Sequence, residues 1–179
     1  MSDFIEKTLD DQLIYDGAVV KLHKYTVALP NGKTAYREIV RHPGAVCVLP
    51  LTDDNEVICV RQFRFPFGRV LTELPAGKLD SPDEDPLEAA RRELREETGA
   101  IAGKMTYLGD LYPSVAIFDE NIRMYLATEL SFGQTDPDDD EFLDILRIPL
   151  DELVAQILRG EITDAKTQTA VLKVAAMQK

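Results

Sequence analysis

Apolar residues recur along this 179-residue chain at two spacings, and the change from one to the other divides it into elements. Alternating or continuous apolar runs closed by turn residues predict strands at 17–29, 34–41, 45–51, 56–65, 105–111, 122–130 and 143–148, with 70–74 as a further extended stretch. Asn31-Gly32 is a strong hairpin turn between the first two. His42-Pro43-Gly44 ends that pair, and Asp53-Asp54-Asn55 predicts a second hairpin from 45–51 and 56–65. Helical periodicity marks a segment ending at Thr98-Gly99, then 150–158 and 165–177, the last with Asp164 as its capping residue. Strands outnumber helices, so the expected architecture is α/β, a sandwich in which helices cover a mixed sheet from both sides. No internal repeat, low-complexity tract or long linker interrupts the chain, and its length is near that of one domain.

The first helical segment carries the chemistry. Its sequence ends Arg92-Glu93-Leu94-Arg95-Glu96-Glu97-Thr98-Gly99. At about 100° per residue, Leu87, Ala90 and Leu94 form one narrow apolar stripe. Glu93 and Glu97 fall at its border with Cβ atoms roughly 5–6 Å apart. Glu96 lies about a quarter turn further out. Taken alone, Glu88, Arg92 and Glu96 also read as a charge ladder on a solvated face. The flanks turn the reading, because Leu74-Pro75-Ala76-Gly77 makes a tight turn able to aim a backbone carbonyl at the same point, and Gly99 can take the φ > 0 that ends a helix. Crowded carboxylates at that spacing point to a divalent cation and to chemistry on a phosphate.

The segment 77–100 resembles the Nudix box, G-x5-E-x7-R-E-U-x-E-E-x-G-U with U a bulky aliphatic, at Gly77, Glu84, Arg92, Glu93, Leu94, Glu96, Glu97 and Gly99. It departs from the pattern twice. Six residues rather than five separate Gly77 from Glu84, which reads as a longer loop around Ser81-Pro82-Asp83, and the last position is the small Ala100. The stretches 37–46, 61–64, 73–77, 112–114 and 164–167 are similar to the ADP-ribose pyrophosphatase and nucleoside diphosphate sugar hydrolase branch of that family.

The resemblance implies the Nudix α/β/α sandwich over 43–179 and, over 1–42, an N-terminal antiparallel β-hairpin extension that packs against or exchanges with a second subunit of a homodimer. It implies hydrolysis of the pyrophosphate bond of nucleoside diphosphate sugars, with Mg²⁺ or Mn²⁺ held by Glu93 and Glu97, the Ala76 carbonyl, and Glu96 as a further or outer ligand. Glu84 and Arg92 are expected to pair structurally. Arg37 and Arg64, with Glu73, are the expected substrate contacts, since a guanidinium fork matches paired phosphate oxygens. Arg41 and Arg61 rank behind them, and Tyr15, Tyr25 and Phe63 are aromatics able to stack on a base. The general base is expected from the acidic run 136–141, with Glu141 first and Asp140 behind it. ADP-ribose-selective members carry a second proline beyond the box; Val115 follows Pro113-Ser114 here, which favours a broader range including GDP-mannose.

A net charge of −12 argues against nucleic acid and anionic membranes as partners. Cys47 and Cys59 sit in apolar runs without metal-ligand spacing and are expected to be reduced core residues. Neither a signal sequence nor an apolar run of about 18 residues is visible, so the expected compartment is the cytoplasm. Two other functions stay open from the sequence: hydrolysis of nucleoside triphosphates, and non-catalytic sensing of ADP-ribose.

Overall fold

The structure, a computed structural model, describes residues 4–81, 83–135 and 142–179. The chain forms two units, the first Met1–Pro43 with Tyr112–Glu120 and the second Gly44–Leu111 with Asn121–Lys179. In the first unit β1 (Lys7–Asp16), β2 (Lys21–Ala28) and β3 (Thr34–Arg41) form an antiparallel sheet in the order β1-β2-β3. The turn between β2 and β3 is the one expected at Asn31-Gly32: Gly32 has φ +80° and donates its N–H to the Leu29 carbonyl at 2.9 Å. The segment 112–120 joins through the Val40 N–H, which donates to the Ile117 carbonyl at 2.8 Å, and through Arg41, whose Nη1 donates to Asp119 at 2.7 Å. A hairpin was expected here and three strands are found. Lys7–Asp16 escapes a period-2 reading because Leu9, Leu13, Ile14 and Tyr15 do not alternate, and two register shifts against β2 break its pleat.

The second unit is organised around β4 (Ala45–Pro50), an uninterrupted apolar run buried on both faces. Beyond it come β5 (Glu56–Arg64), β6 (Arg69–Glu73), β7 (Ala76–Lys78), α1 (Pro86–Thr98), β8 (Ala100–Leu111), β9 (Ile122–Phe132), β10 (Asp144–Pro149), α2 (Leu150–Leu158) and α3 (Ala165–Met177). A mixed sheet runs β7-β4-β9-β8, with β4 parallel to β9, and an antiparallel sheet runs β10-β5-β6. Alternation along β4 divides the core. Val46 and Val48 pack with Ala90 and Leu94 of α1, while Cys47 and Leu49 pack with Cys59, with Leu150 and Leu153 of α2, and with Val171 and Val174 of α3. This is the expected α/β sandwich.

The expected hairpin of 45–51 with 56–65 is corrected. The connection is tight, with the Thr52 N–H donating to the Glu56 carbonyl at 2.9 Å and Asn55 at φ +60°, yet β4 and β5 enter different sheets, and ladder pairing between the two segments is confined to a Leu51–Val57 bridge. Both edges of β4 are already taken by β7 and β9, which leaves no edge for β5.

Cys47 and Cys59 are free and buried, and burial pushes both thiols up to about 12. A thiolate-seeking disulfide reagent at pH 8 is therefore expected to titrate neither thiol in the folded protein and both in guanidinium. Rapid reaction of either in the native state contradicts the closed core around β4 and β5.

Candidate active site

Helix α1 is fixed at both ends by its own sequence. Asp85 caps it, accepting from the N–H groups of Leu87 at 2.8 Å and Glu88 at 3.2 Å, and Pro86 occupies the first turn, where a missing donor costs nothing. Gly99 closes it at φ +69°, in a place where any Cβ would come within 2.7 Å of the Gly133 carbonyl oxygen. The helix buries Ala89, Ala90 and Leu94, and that orientation draws Glu93 and Glu97 in with them, to 8% and 5% exposure.

Opposite those carboxylates runs β7, the strand that continues Leu74-Pro75. Glu97 accepts a hydrogen bond from the Ala76 N–H at 3.2 Å, and a Cβ on Gly77 would overlap the carboxylate of Glu93. Gly77 is therefore required by the closeness of Glu93, not by its own backbone angles. Arg92 ties the surroundings together. It reaches Glu84 at 3.3 Å, Glu93 at 2.8 Å and Glu96 at 3.2 Å. Desolvation works against its charge, but Glu93, Asp80 and Glu84 hold the guanidinium above its ordinary pKa. Glu84 also accepts from the Asp80 N–H at 2.6 Å, so the Glu84–Arg92 pair anchors the loop before α1.

A second polar group lies in the same unit. Arg64 donates from Nε to Glu73 Oε1 at 2.7 Å and from Nη2 to Oε2 at 2.8 Å, and Lys166 donates to Glu73 from the first turn of α3. Glu73 is buried; desolvation opposes its ionisation, and Arg64 and Lys166 overcome that to leave its pKa lowered. A cavity of about 530 Å³ is lined by Arg61, Phe63, Val70, Glu97, Phe142 and Asp144 among others. Arg61 pairs with Asp144 across it at 2.7 Å.

The structure thus sets Glu97 beside Ala76 and Glu93 beside Gly77, leaves Glu96 joined to Glu93 only through Arg92, and sets Arg64 against Glu73. Arg37 belongs to the other unit, where it pairs with Glu6, as does Arg41 with Asp119 and the buried Tyr25. Tyr15 is exposed on β1. Asp140 and Glu141, the expected general bases, lie outside the described residues. Lys166 and Thr167 were given no role from the sequence, although the stretch 164–167 that contains them is one of those similar to the nucleoside diphosphate sugar hydrolase branch and begins at the capping residue Asp164.

Among the described residues no three His, Cys, Asp or Glu side chains form a closed metal cage. A hard cation that keeps several waters does not need one, and the two sheltered carboxylates of Glu93 and Glu97 offer oxygen donors that fit such an ion.

The Nudix domain family matches residues 41–169. This chain belongs to the Nudix family. It is 42% identical over 173 residues to the ADP-ribose pyrophosphatase of Bacillus subtilis (strain 168), covering 96% of this chain and 93% of that protein. It is 44% identical over 170 residues to the methanol dehydrogenase activator of Bacillus methanolicus, covering 94% and 91%. It is 35% identical over 162 residues to the GDP-mannose pyrophosphatase of Yersinia enterocolitica, covering 82% and 83%. A solved structure described as an ADP compounds hydrolase shares the fold with a TM-score of 0.84 at 23% identity, over 96% of this chain and 93% of that one. Nudix hydrolases generally use divalent metal ions, and this chain is a Nudix pyrophosphatase.

The contact between Gly77 and Glu93 yields a direct test. Gly77→Ala is expected to displace the Glu93 carboxylate and lower turnover by about 10²-fold, the scale of a misplacement near 1 Å, while circular dichroism stays that of the wild type. Unchanged turnover shows that the close approach is dispensable.

Proposed function

We propose that this enzyme hydrolyses the pyrophosphate bond of nucleoside diphosphate sugars, ADP-ribose and GDP-mannose among them, to a nucleoside monophosphate and a sugar phosphate. The observation that carries this reading is the buried Glu93–Glu97 pair facing Ala76 and Gly77, with Glu97 lining a cavity of about 530 Å³. The activities named for the relatives from Bacillus subtilis and Yersinia enterocolitica support the substrate class; the name of the Bacillus methanolicus relative states an effect on another enzyme and no substrate.

In this reading Glu93 and Glu97 would hold Mg²⁺ or Mn²⁺ with the Ala76 carbonyl, and Glu96 would steady the site from outside or as a further ligand. The bound cation neutralises diphosphate charge and makes water more acidic. The chain's own residues do the rest. Arg64, held in a fixed plane by Glu73, offers its fork to the phosphates. Glu141, with Asp140 behind it, takes the proton of the attacking water.

The enzyme works as a cytoplasmic homodimer without nucleic-acid or membrane partners. Supporting this are the two free thiols, the net charge of −12, the absence among described residues of a helix long and apolar enough to cross a membrane, and the exposed Leu9, Leu13, Ile14 and Tyr15 of β1.

Product analysis tests the reading. Incubation with ADP-ribose is expected to give AMP and ribose 5-phosphate, and with GDP-mannose to give GMP and mannose 1-phosphate, in each case only when Mg²⁺ or Mn²⁺ is present. Cleavage of nucleoside triphosphates alone, or binding of ADP-ribose without products, contradicts it.

A further inference from the structure

Lys166 is a cation with a buried ammonium to which neither the cation site nor the expected substrate contacts assign a task. Its side chain, 12% exposed, lies between Glu73 and Asp164, the latter 3.1 Å away. Glu73 in turn grips Arg64 through two parallel hydrogen bonds. Four charges therefore alternate in sign, Arg64, Glu73, Lys166 and Asp164, from β5 through β6 to the start of α3. The Arg64 end is the more open, with its side chain 40% exposed against 18% for Asp164 at the other end and 3% for Glu73 between them. Both Glu73 contacts use Nε and Nη2, and among the described residues Nη1 makes no hydrogen bond.

The charge balance decides what Lys166 does. With it, two cations face two carboxylates and the row is neutral. Without it, Glu73 and Asp164 together outweigh Arg64, and the one guanidinium open to an anion sits in a net negative surrounding of low dielectric, where such terms are strongest. We propose that Lys166 is a positioning residue for the anionic substrate: by sharing the charge of Glu73 and holding that carboxylate in place, it keeps Arg64 both oriented and attractive to a diphosphate. This deepens the proposed function and rests on it.

Two features support a role beyond packing. Burial disfavours the Lys166 charge, yet Asp164 and Glu73 hold its pKa above the ordinary lysine value, so the ammonium persists. The local fold also does not need it. Asp164 caps α3 by accepting from the Thr167 N–H at 3.0 Å and hydroxyl at 2.6 Å, and the same hydroxyl accepts from the Leu74 N–H at 2.9 Å. The clamp between α3 and the 74–77 turn thus stays complete when position 166 changes.

Steady-state kinetics with ADP-ribose on wild type, Lys166→Met, Lys166→Arg and the double variant Lys166→Met/Asp164→Asn tests the proposal, with melting temperature recorded for each. Lys166→Met is expected to raise KM by about tenfold, the scale usual for partners that orient a binding group, with kcat nearly unchanged. Lys166→Arg is expected to return KM towards wild type. The double variant is expected to do so in part, because asparagine still caps the helix while neutrality is restored. An unchanged KM in Lys166→Met, with or without a lower melting temperature, overturns the proposal. A wild-type protein that cleaves no nucleoside diphosphate sugar overturns the proposed function instead. Calorimetric affinity for ADP-ribose then decides Lys166: weaker binding by Lys166→Met upholds its role, and equal binding by wild type and variant overturns it.

Discussion

Two carboxylates one helical turn apart, both drawn out of water, set the central constraint of this molecule. Burying like charges as close neighbours is costly unless positive charge or donors meet them. In the protein, Arg92 meets Glu93 and the Ala76 N–H meets Glu97. A cation placed among the same oxygens would oppose the repulsion more fully than one guanidinium shared among Glu84, Glu93 and Glu96. The absence of a side chain at Gly77 lets β7 approach that closely, and the anchored loop at Glu84 keeps the helix from swinging away.

The layers serve this arrangement. β4 pairs with β7 on one edge and β9 on the other, so the turn that faces the glutamates is fixed to the most deeply buried strand of its unit. The Val48 N–H donates to the Pro75 carbonyl at 2.9 Å, and Thr167 holds the Leu74 N–H from the other side. Rigid supports on both flanks are what a site needs if its donor atoms are to stay within fractions of an ångström. The second core, between β4, β5 and helices α2 and α3, carries the Arg64–Glu73–Lys166 row, so each half of the sandwich presents one part of the chemistry.

Much of this was readable from the chain because it is local. The spacing of Glu93 and Glu97 needs only helical geometry, the ends of α2 and α3 follow from periodicity and from Asp164, and Gly32 and Gly99 mark real turns. What stayed hidden is non-local. A strand buried on both faces, such as β4, gives no alternation to say which neighbour it pairs with, so adjacency across Asp53-Asp54-Asn55 suggested β5 and was wrong. β1 has exposed residues throughout, and its apolar residues do not keep the strict alternation that would betray it. The contact of Lys166 with Glu73 spans 93 residues of sequence, and nothing near either residue announces the other.

The account stands on the affinity of one pair of side chains for a hard cation, and Mn²⁺ titration followed by electron paramagnetic resonance measures it without reference to any substrate. Wild-type protein is expected to bind Mn²⁺, and Glu93→Gln and Glu97→Gln are each expected to weaken that binding by at least about tenfold. Equal binding by wild type and both variants contradicts the account, because the two buried carboxylates would then have no part in holding the ion.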